Sequence, residues 1–272
     1  AADIATLVRG AQNVVCLSGA GISVESGIPP FRSDTGDSIW GSFCASRMTV
    51  QAFNSDEDSV KYWWDMKHSL LPKVNAALPN SAHSFFGLLA SQGKLGHVIT
   101  QNIDSLHQKG GTPDDRVIEL HGHMRGLICS DKRTKYNPLP YKTGSCNYSM
   151  SHDEAMRSNY FASNPIPRCP HCDSPLRTET VMFNQPLPEG SFAASVQAVA
   201  DSHLLFVIGS TLIVEPANSL PSVALRMGVP VIIINFDETQ YDEYATALVR
   251  EPAGEFFASV TQELLLSRHQ ES

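Results

Sequence analysis

Short runs of aliphatic and β-branched residues recur along the chain at 13–18, 97–100, 117–120, 203–208 and 229–235, each closed by a polar or glycine-rich turn. They are apolar almost throughout and do not alternate, as strands buried on both faces require. Between them lie longer segments with apolar residues at helical spacing: 4–11, 80–92, 104–109, 191–200, 219–227 and 255–267. Strand followed by helix, repeated, predicts an α/β fold: a parallel sheet with helices on both faces. No run approaches the roughly eighteen apolar residues of a bilayer helix, so a soluble protein is expected.

Two stretches break the alternation. Residues 129–177 are rich in Pro, Asn and Ser and hold four of the six cysteines. This predicts a small inserted module with little core of its own, stapled by metal, between the parts of a main domain at 1–128 and 178–272. A second helical and loop insert is expected around 31–80. Its first part, 31–48, reads as a loop beside whatever the preceding glycine-rich turn binds.

Apolar residues make up 42% of the chain and charged ones 18%, enough to fill a core and too apolar for wholesale disorder. Twenty basic against 28 acidic residues leave a net charge of −8, the wrong sign for unaided binding to nucleic acid. Six cysteines in 272 residues do not make a secreted disulfide framework. The pair in Cys169-Pro170-His171-Cys172 is spaced for a metal in a reducing compartment, which points to an intracellular protein.

The first run leads straight into Gly19-Ala20-Gly21-Ile22-Ser23, where glycine permits a tight turn and a close backbone approach to a diphosphate. Position 24 is Val where a full dinucleotide fingerprint needs glycine, so the segment also reads as a structural turn. Gln101-Asn102-Ile103-Asp104 ends the second strand. Asn102 and Asp104 suit a carboxamide, or act as turn former and helix cap. The third strand ends in His121-Gly122, with the imidazole a base or an ordinary hydrogen-bonded residue. Gly209-Ser210-Thr211 and Asn235 end two later strands with groups suited to phosphate and ribose. Five strand ends of this kind favour a nucleotide in the crevice they share.

Taken in order, several motifs together resemble the sirtuin family over nearly the whole chain. They are Gly19-Ala20-Gly21-x-Ser23 with Ser26-Gly27-Ile28-Pro29 and Phe31-Arg32, then Thr100-Gln101-Asn102-Ile103-Asp104, His121-Gly122, Cys169-x-x-Cys172, Gly209-Ser210-Thr211 with Pro216-Ala217, and Asn235. The resemblance implies a Rossmann-like NAD-binding domain with a small zinc-binding insert. It also implies NAD-dependent protein lysine deacylation, in which the acyl group passes to ADP-ribose and nicotinamide leaves.

By the same resemblance Gly19, Ala20, Gly21 and Ser23 would line the diphosphate, with Phe31 and Arg32 on a cofactor loop at the nicotinamide side. Gln101, Asn102 and Asp104 would hold the ribose and carboxamide, and His121 would be the general base. Gly209, Ser210 and Thr211 would sit by the phosphates or ribose, Asn235 by the adenosine half and Ala253 in the adenine-proximal turn. Met182, Phe183 and Asn184 would receive the backbone of an acyl-lysine protein or peptide as an added strand. Without the family, 181–183 reads as an apolar strand reaching the insert.

Four positions depart from the family pattern. Pro30 stands where Asp is usual, and Phe183-Asn184-Gln185 where Phe-Gly-Glu is usual. The upstream half of the metal site lacks its second cysteine, Cys129 being followed three residues on by Lys132. Zinc on Cys129, Cys146, Cys169 and Cys172 and a metal-free insert are both open, with His123 or His171 as more remote substitute ligands. Separately from these departures, a helix over 59–71 places Val60, Trp63, Trp64, Lys67 and Leu71 on one stripe.

Lys67 is expected to snorkel, its stem packed and its ammonium in water. The sharper alternative makes this helix border the acyl channel, with Trp64 and Lys67 meeting substrate. The Tyr-x-x-Arg pair of members that remove acidic acyl groups is missing, which favours acetyl or bulky apolar groups over succinyl. Three function classes follow: an NAD-consuming deacylase, an ADP-ribosyltransferase or NAD hydrolase, and a non-catalytic NAD or ADP-ribose sensor. The trio Asn102, Asp104 and His121 argues against the last.

Overall fold

The structure, a computed structural model, describes residues 1–30, 43–157 and 165–268. Its central sheet is parallel and contains β1 (Val14–Ser18), β2 (Leu95–Thr100), β3 (Val117–Glu119), β7 (Leu204–Ile208), β8 (Val231–Ile234) and β9 (Ala247–Val249), numbered along the chain. The spatial order is β3-β2-β1-β7-β8-β9. The chain therefore winds outward from β1 in one direction and from β7 in the other. Open α/β sheets bind ligands beyond the strand ends at such a reversal. Here that place is marked by Ser18 paired with Ile208.

Every residue of β1, β7 and β8 is buried, which explains their unbroken apolar sequences. Alternate side chains serve opposite faces. Cys16, Phe206 and Ile208 pack with Phe85, Phe86 and Phe257 from α4 (Ser81–Ser91) and α9 (Ala253–Arg268), joined by α1 (Ala2–Gly10). Val15, Leu17, Leu205 and Val207 pack against α7 (Ser191–Ala200) and α8 (Leu220–Arg226). The edge strand β9, half-buried and three residues long, carries no sequence signal of its own.

A second sheet is antiparallel, in the order β5-β4-β6, with β4 (Gly122–Cys129), β5 (Ser149–Ser151) and β6 (Leu176–Thr180). It begins and ends just outside the 129–177 stretch singled out by the sequence. Its core is shared with α2 (Val50–Ser55) and α3 (Glu57–Ala76), where Phe53, Trp63, Trp64 and Leu71 meet Met124, Leu127 and Leu176. Asp56 starts α3 by accepting the Ser59 amide at 2.7 Å. Two short helices complete the described fold, α5 (Leu106–Lys109) and α6 (His152–Arg157). No described helix is long and apolar enough to cross a membrane.

Candidate active site and metal centre

Two glycine-rich turns face each other at the reversal. The Gly19 amide donates to the Ile208 carbonyl and the Gly21 amide to that of Gly209, both at 2.9 Å. A Cβ on Gly21 would stand 2.5 Å from the Gly209 Cα, and one on Gly209, where φ is +59°, 2.3 Å from the Ile22 nitrogen. Chain-to-chain contact thus demands both glycines. Val24 is exposed and meets no such constraint, so the turn does without the third glycine of the common fingerprint.

The strand-end side chains interlock behind this turn. Asn102 Nδ2 donates to the Gly19 carbonyl at 3.1 Å and to Ser23 Oγ at 3.2 Å, and Ser23 Oγ donates to Asp104 Oδ2 at 2.8 Å. The other Asp104 oxygen accepts the Leu106 amide at 2.9 Å, but the N-cap of α5 is Ser105, so Asp104 lies one residue ahead of the cap and the helix begins two residues later than the periodicity predicts. Burial raises the Asp104 carboxyl above its usual range, opposed by those two hydrogen bonds. Gln101 Nε2 donates to Ser210 Oγ at 3.1 Å, tying β2 to β7 across β1.

His121 Nδ1 lies 2.9 Å from the Gln101 carbonyl oxygen. A carbonyl can only accept, so Nδ1 carries the proton and Nε2 keeps its lone pair. Burial lowers the His121 pKa from 6.5, and the bond to Gln101 offsets part of that shift. The imidazole is therefore neutral at physiological pH.

The adenosine-side residues are more dispersed. Asn235 Nδ2 turns to the Asp237 carbonyl at 2.9 Å, and Arg250 Nη1 fixes the same loop through the Asn235 and Asp237 carbonyls at 2.6 and 3.1 Å. Thr211 is half-buried beyond β7, Ala20 is half-buried beside Gly19, and Ala253 is buried at the start of α9. Phe31 and Arg32 lie outside the described residues.

Sequence reasoning missed a buried polar layer under the site. Ser18 Oγ donates to Thr100 Oγ1 and meets His107 Nε2, each at 2.9 Å, while His83 packs edge-on to His107 with ring centroids 5.0 Å apart. His83 and His107 sit in helices where nothing local distinguishes them from surface histidines. Burial drives His83 to about 4 and His107 well below its normal value.

The substrate-side segment runs directly on from β6. The Val181 amide donates to the His121 carbonyl at 2.8 Å, and Phe183 bridges in parallel to Thr49 through the Val50 amide at 3.0 Å. Met182 is buried and Phe183 partly exposed. Phe183 and Asn184 help line an open groove of about 540 Å³ with Ala45, Ser46, Thr49 and Gln51. Asn184 has φ +59°, which explains the departure from glycine: Asn is among the few residues with a side chain that tolerate this conformation. Gln185 is buried and accepts from Arg177 Nη2 at 3.3 Å while donating to the Tyr136 carbonyl at 2.7 Å, so the amide is anchored without a carboxylate.

The snorkelling expectation for Lys67 fails. The residue is 2% exposed, its ammonium 4.9 Å from the Trp63 ring centroid, because the face of α3 that carries it is covered by the antiparallel sheet. Burial, with the Arg177 charge nearby, pulls its pKa down to about 7. Trp64 is fully buried, with Nε1 donating to the Leu176 carbonyl at 2.9 Å. Trp64 belongs to the apolar cluster that includes Ile28 and Met182 and against which Ile103 packs.

The four cysteines of the insert converge, all four sulfurs lying within 4.8 Å of one another. Cys129 and Cys172 are 3.5 Å apart and Cys146 and Cys169 3.6 Å, far too long for disulfides. Tetrahedral zinc, with Zn–S near 2.3 Å, separates its sulfurs by about 3.8 Å. The set therefore fits zinc despite its irregular spacing, because β4 and the 146–172 segment bring the missing ligand from afar. Neither His123 nor His171 joins the cluster among the described residues.

Two glycine-rich turns in contact at the reversal of a parallel sheet, with a fixed imidazole at a neighbouring strand end and a four-cysteine cluster beside a small antiparallel sheet, define an α/β protein whose strand ends are arranged as in nucleotide-binding folds. Comparison with known proteins narrows this class. The model of the Sir2 family matches residues 19–216, and the chain belongs to that family. It is 35% identical over 254 residues to an NAD-dependent protein deacetylase of Thermodesulfovibrio yellowstonii, covering 93% of this chain and 91% of the relative. An NAD-dependent protein deacylase of Pyrococcus furiosus is 30% identical over 263 residues, covering 96% and 97%.

Among solved structures, a Sir2 complex with p53 peptide and NAD+ superimposes with a TM-score of 0.79 at 28% identity, covering 96% of this chain and 97% of that one. A histidine-to-alanine Sir2 variant with deacetylated p53 peptide and 3′-O-acetyl ADP-ribose gives 0.82 at 29%, with the same coverage.

Proposed function

We propose that this chain is an NAD-dependent protein lysine deacylase of the deacetylase type, with acyl-lysine proteins or peptides as its substrates. The observation that carries the reading is the tautomer of His121: with Nδ1 committed to Gln101, the lone pair of Nε2 is left to serve as a base. NAD supplies the electrophilic ribose carbon, with nicotinamide as the group that leaves.

The residues divide the remaining work. Gly19, Ala20, Gly21, Gly209, Ser210 and Thr211 cradle the diphosphate side, Asn235 and Ala253 the adenosine end. Gln101, Asn102 and Asp104 orient the ribose and carboxamide, and the family motif assigns Phe31 and Arg32 to the nicotinamide side. His121 Nε2 would accept the proton of a ribose hydroxyl, and bound NAD would supply the electrophilic ribose carbon that receives the acyl oxygen as nicotinamide leaves. Met182, Phe183 and Asn184 hold the peptide backbone, with Trp64 and Lys67 under the acyl side. Zinc on Cys129, Cys146, Cys169 and Cys172 staples the insert, and the free thiols suit an intracellular, reducing setting.

The test is incubation with NAD and acetyl-, succinyl- and long-chain-acyl-lysine peptides, read by mass spectrometry. Nicotinamide equal in amount to deacylated peptide is expected, acetyl being preferred to succinyl. Nicotinamide released without peptide, or ADP-ribose left on protein, would replace this reading with hydrolysis or ADP-ribosyl transfer.

A further inference from the structure

Beyond the strand end of His121, β4 carries Arg125 to the turn that bears Asn102 and Asp104. Its guanidinium grips both oxygens of Glu119, Nη2 at 2.8 Å from Oε2 and Nη1 in contact with Oε1, and Nη1 also donates to Ser105 Oγ at 2.7 Å. The Glu119 side chain is 6% exposed and accepts as well from Gln108 Nε2 at 3.0 Å. Ser105 has φ +60°, a left-handed conformation that a residue with a side chain keeps only when its surroundings hold it there. It is also the N-cap residue of α5, directly after Asp104. One residue before Arg125, the Met124 amide donates to the Ile103 carbonyl at 3.2 Å. Glu119 lies two residues before His121 on the other side.

We propose that Arg125 is a positioning residue that clamps Ser105 to Glu119 and so sets the placement of Asn102 and Asp104 relative to His121. A planar fork can hold a carboxylate with two bonds and still reach a hydroxyl, which a lysine ammonium does with far less geometric definition. The kinetic consequence rests on the deacylase reading, whereas the structural consequence rests on these contacts alone.

Both are tested on the full chain with Arg125→Met, Arg125→Lys and Ser105→Ala. In Arg125→Met, amide hydrogen exchange rises at least about tenfold over 103–109 and stays unchanged over 19–23. The value of kcat/KM for NAD falls about tenfold, as expected when reacting groups shift slightly, while ADP-ribose affinity and peptide KM hold within about twofold. Arg125→Lys recovers part of the loss, and Ser105→Ala, which leaves the Glu119 pair intact, shows a smaller loss of the same pattern. If Arg125→Met does not fold, Ser105→Ala carries the same readouts. Unchanged exchange over 103–109, or ADP-ribose affinity falling in step with activity, would overturn the clamp. A wild-type chain without NAD-dependent deacylation would instead sink the deacylase reading, and exchange would still decide the clamp.

Discussion

His121 and Gln101 are joined by a 2.9 Å hydrogen bond from imidazole Nδ1 to backbone carbonyl, linking the ends of two adjacent strands of the parallel sheet. The bond fixes the ring and its tautomer together. Burial depresses the His121 pKa below 6.5, so the base form exists throughout the neutral range. Deacylation should therefore run flat near pH 7 to 8 and decline on acidification only below about 6.5. A pH–rate profile with its limb above 7 would contradict this assignment.

His83 links pH to stability. Its pKa falls from 6.5 to about 4 on folding, because burial penalises the charged ring. The unfolded chain then binds a proton that the folded one refuses between these values, so stability rises with pH across this window and is lost as pH falls through it. Each unit corresponds to about 1.4 kcal/mol, so up to about 3 kcal/mol disappears between pH 6.5 and 4. Urea titrations of wild type and His83→Gln across that range should show a shallower slope for the variant.

Lys67 is buried beside the Arg177 charge, and no carboxylate accompanies it among the described residues. Lys67→Met keeps the stem and removes the charge, so it should stabilise the fold by about 1–4 kcal/mol at pH 7. The native amine loses its proton near 7 and the unfolded one near 10.5, so wild-type stability rises between these values. The advantage of the variant should shrink accordingly. Denaturation midpoints at pH 7 and 9.5 check both the sign and the trend.

The grouping of the candidate site was readable from the chain where its residues sit at strand ends, because there sequence order and spatial order coincide. Gly19, Asn102, Asp104, His121 and Ser210 each follow a short apolar run, and the structure brings Gly19, Asn102, Asp104 and Ser23 into one hydrogen-bonded group. The burial of Lys67 was hidden because its neighbour Arg177 comes from β6, more than a hundred residues further along. The same holds for His83 and His107, whose partners Ser23 and Ser18 lie 60 and 89 residues away. The antiparallel sheet escaped notice because β5 and β6 are short and mostly polar and β4, though eight residues long, has no clean alternation and pairs irregularly between Gly122 and Leu127.

The thiol cluster predicts one zinc per chain. Elemental analysis of purified protein should find it, and Cys146→Ser should reduce it to near zero. Because metal binding is coupled to folding where four thiols join distant segments, chelation should lower Tm by several degrees and open the insert to protease. Full activity and unchanged Tm in metal-free protein would show that the cluster needs no ion.

Asn184 tests the substrate segment separately from the chemistry. Its left-handed backbone suits Asn or Gly, while a β-branched residue there is strained by about 1–2 kcal/mol. Asn184→Gly should leave stability and turnover near wild type, whereas Asn184→Val should raise the peptide KM with little change in the KM for NAD. Equal increases in both would detach this segment from peptide binding.

The most direct measurement compares His121→Ala with wild type in two assays at once: peptide-dependent exchange of labelled nicotinamide into NAD, and formation of deacylated peptide. Removing a base that acts only after nicotinamide has left should preserve the exchange and abolish the product. Equal peptide turnover by the two proteins, or exchange and product lost together while NAD affinity also collapses, would contradict the role assigned to this imidazole.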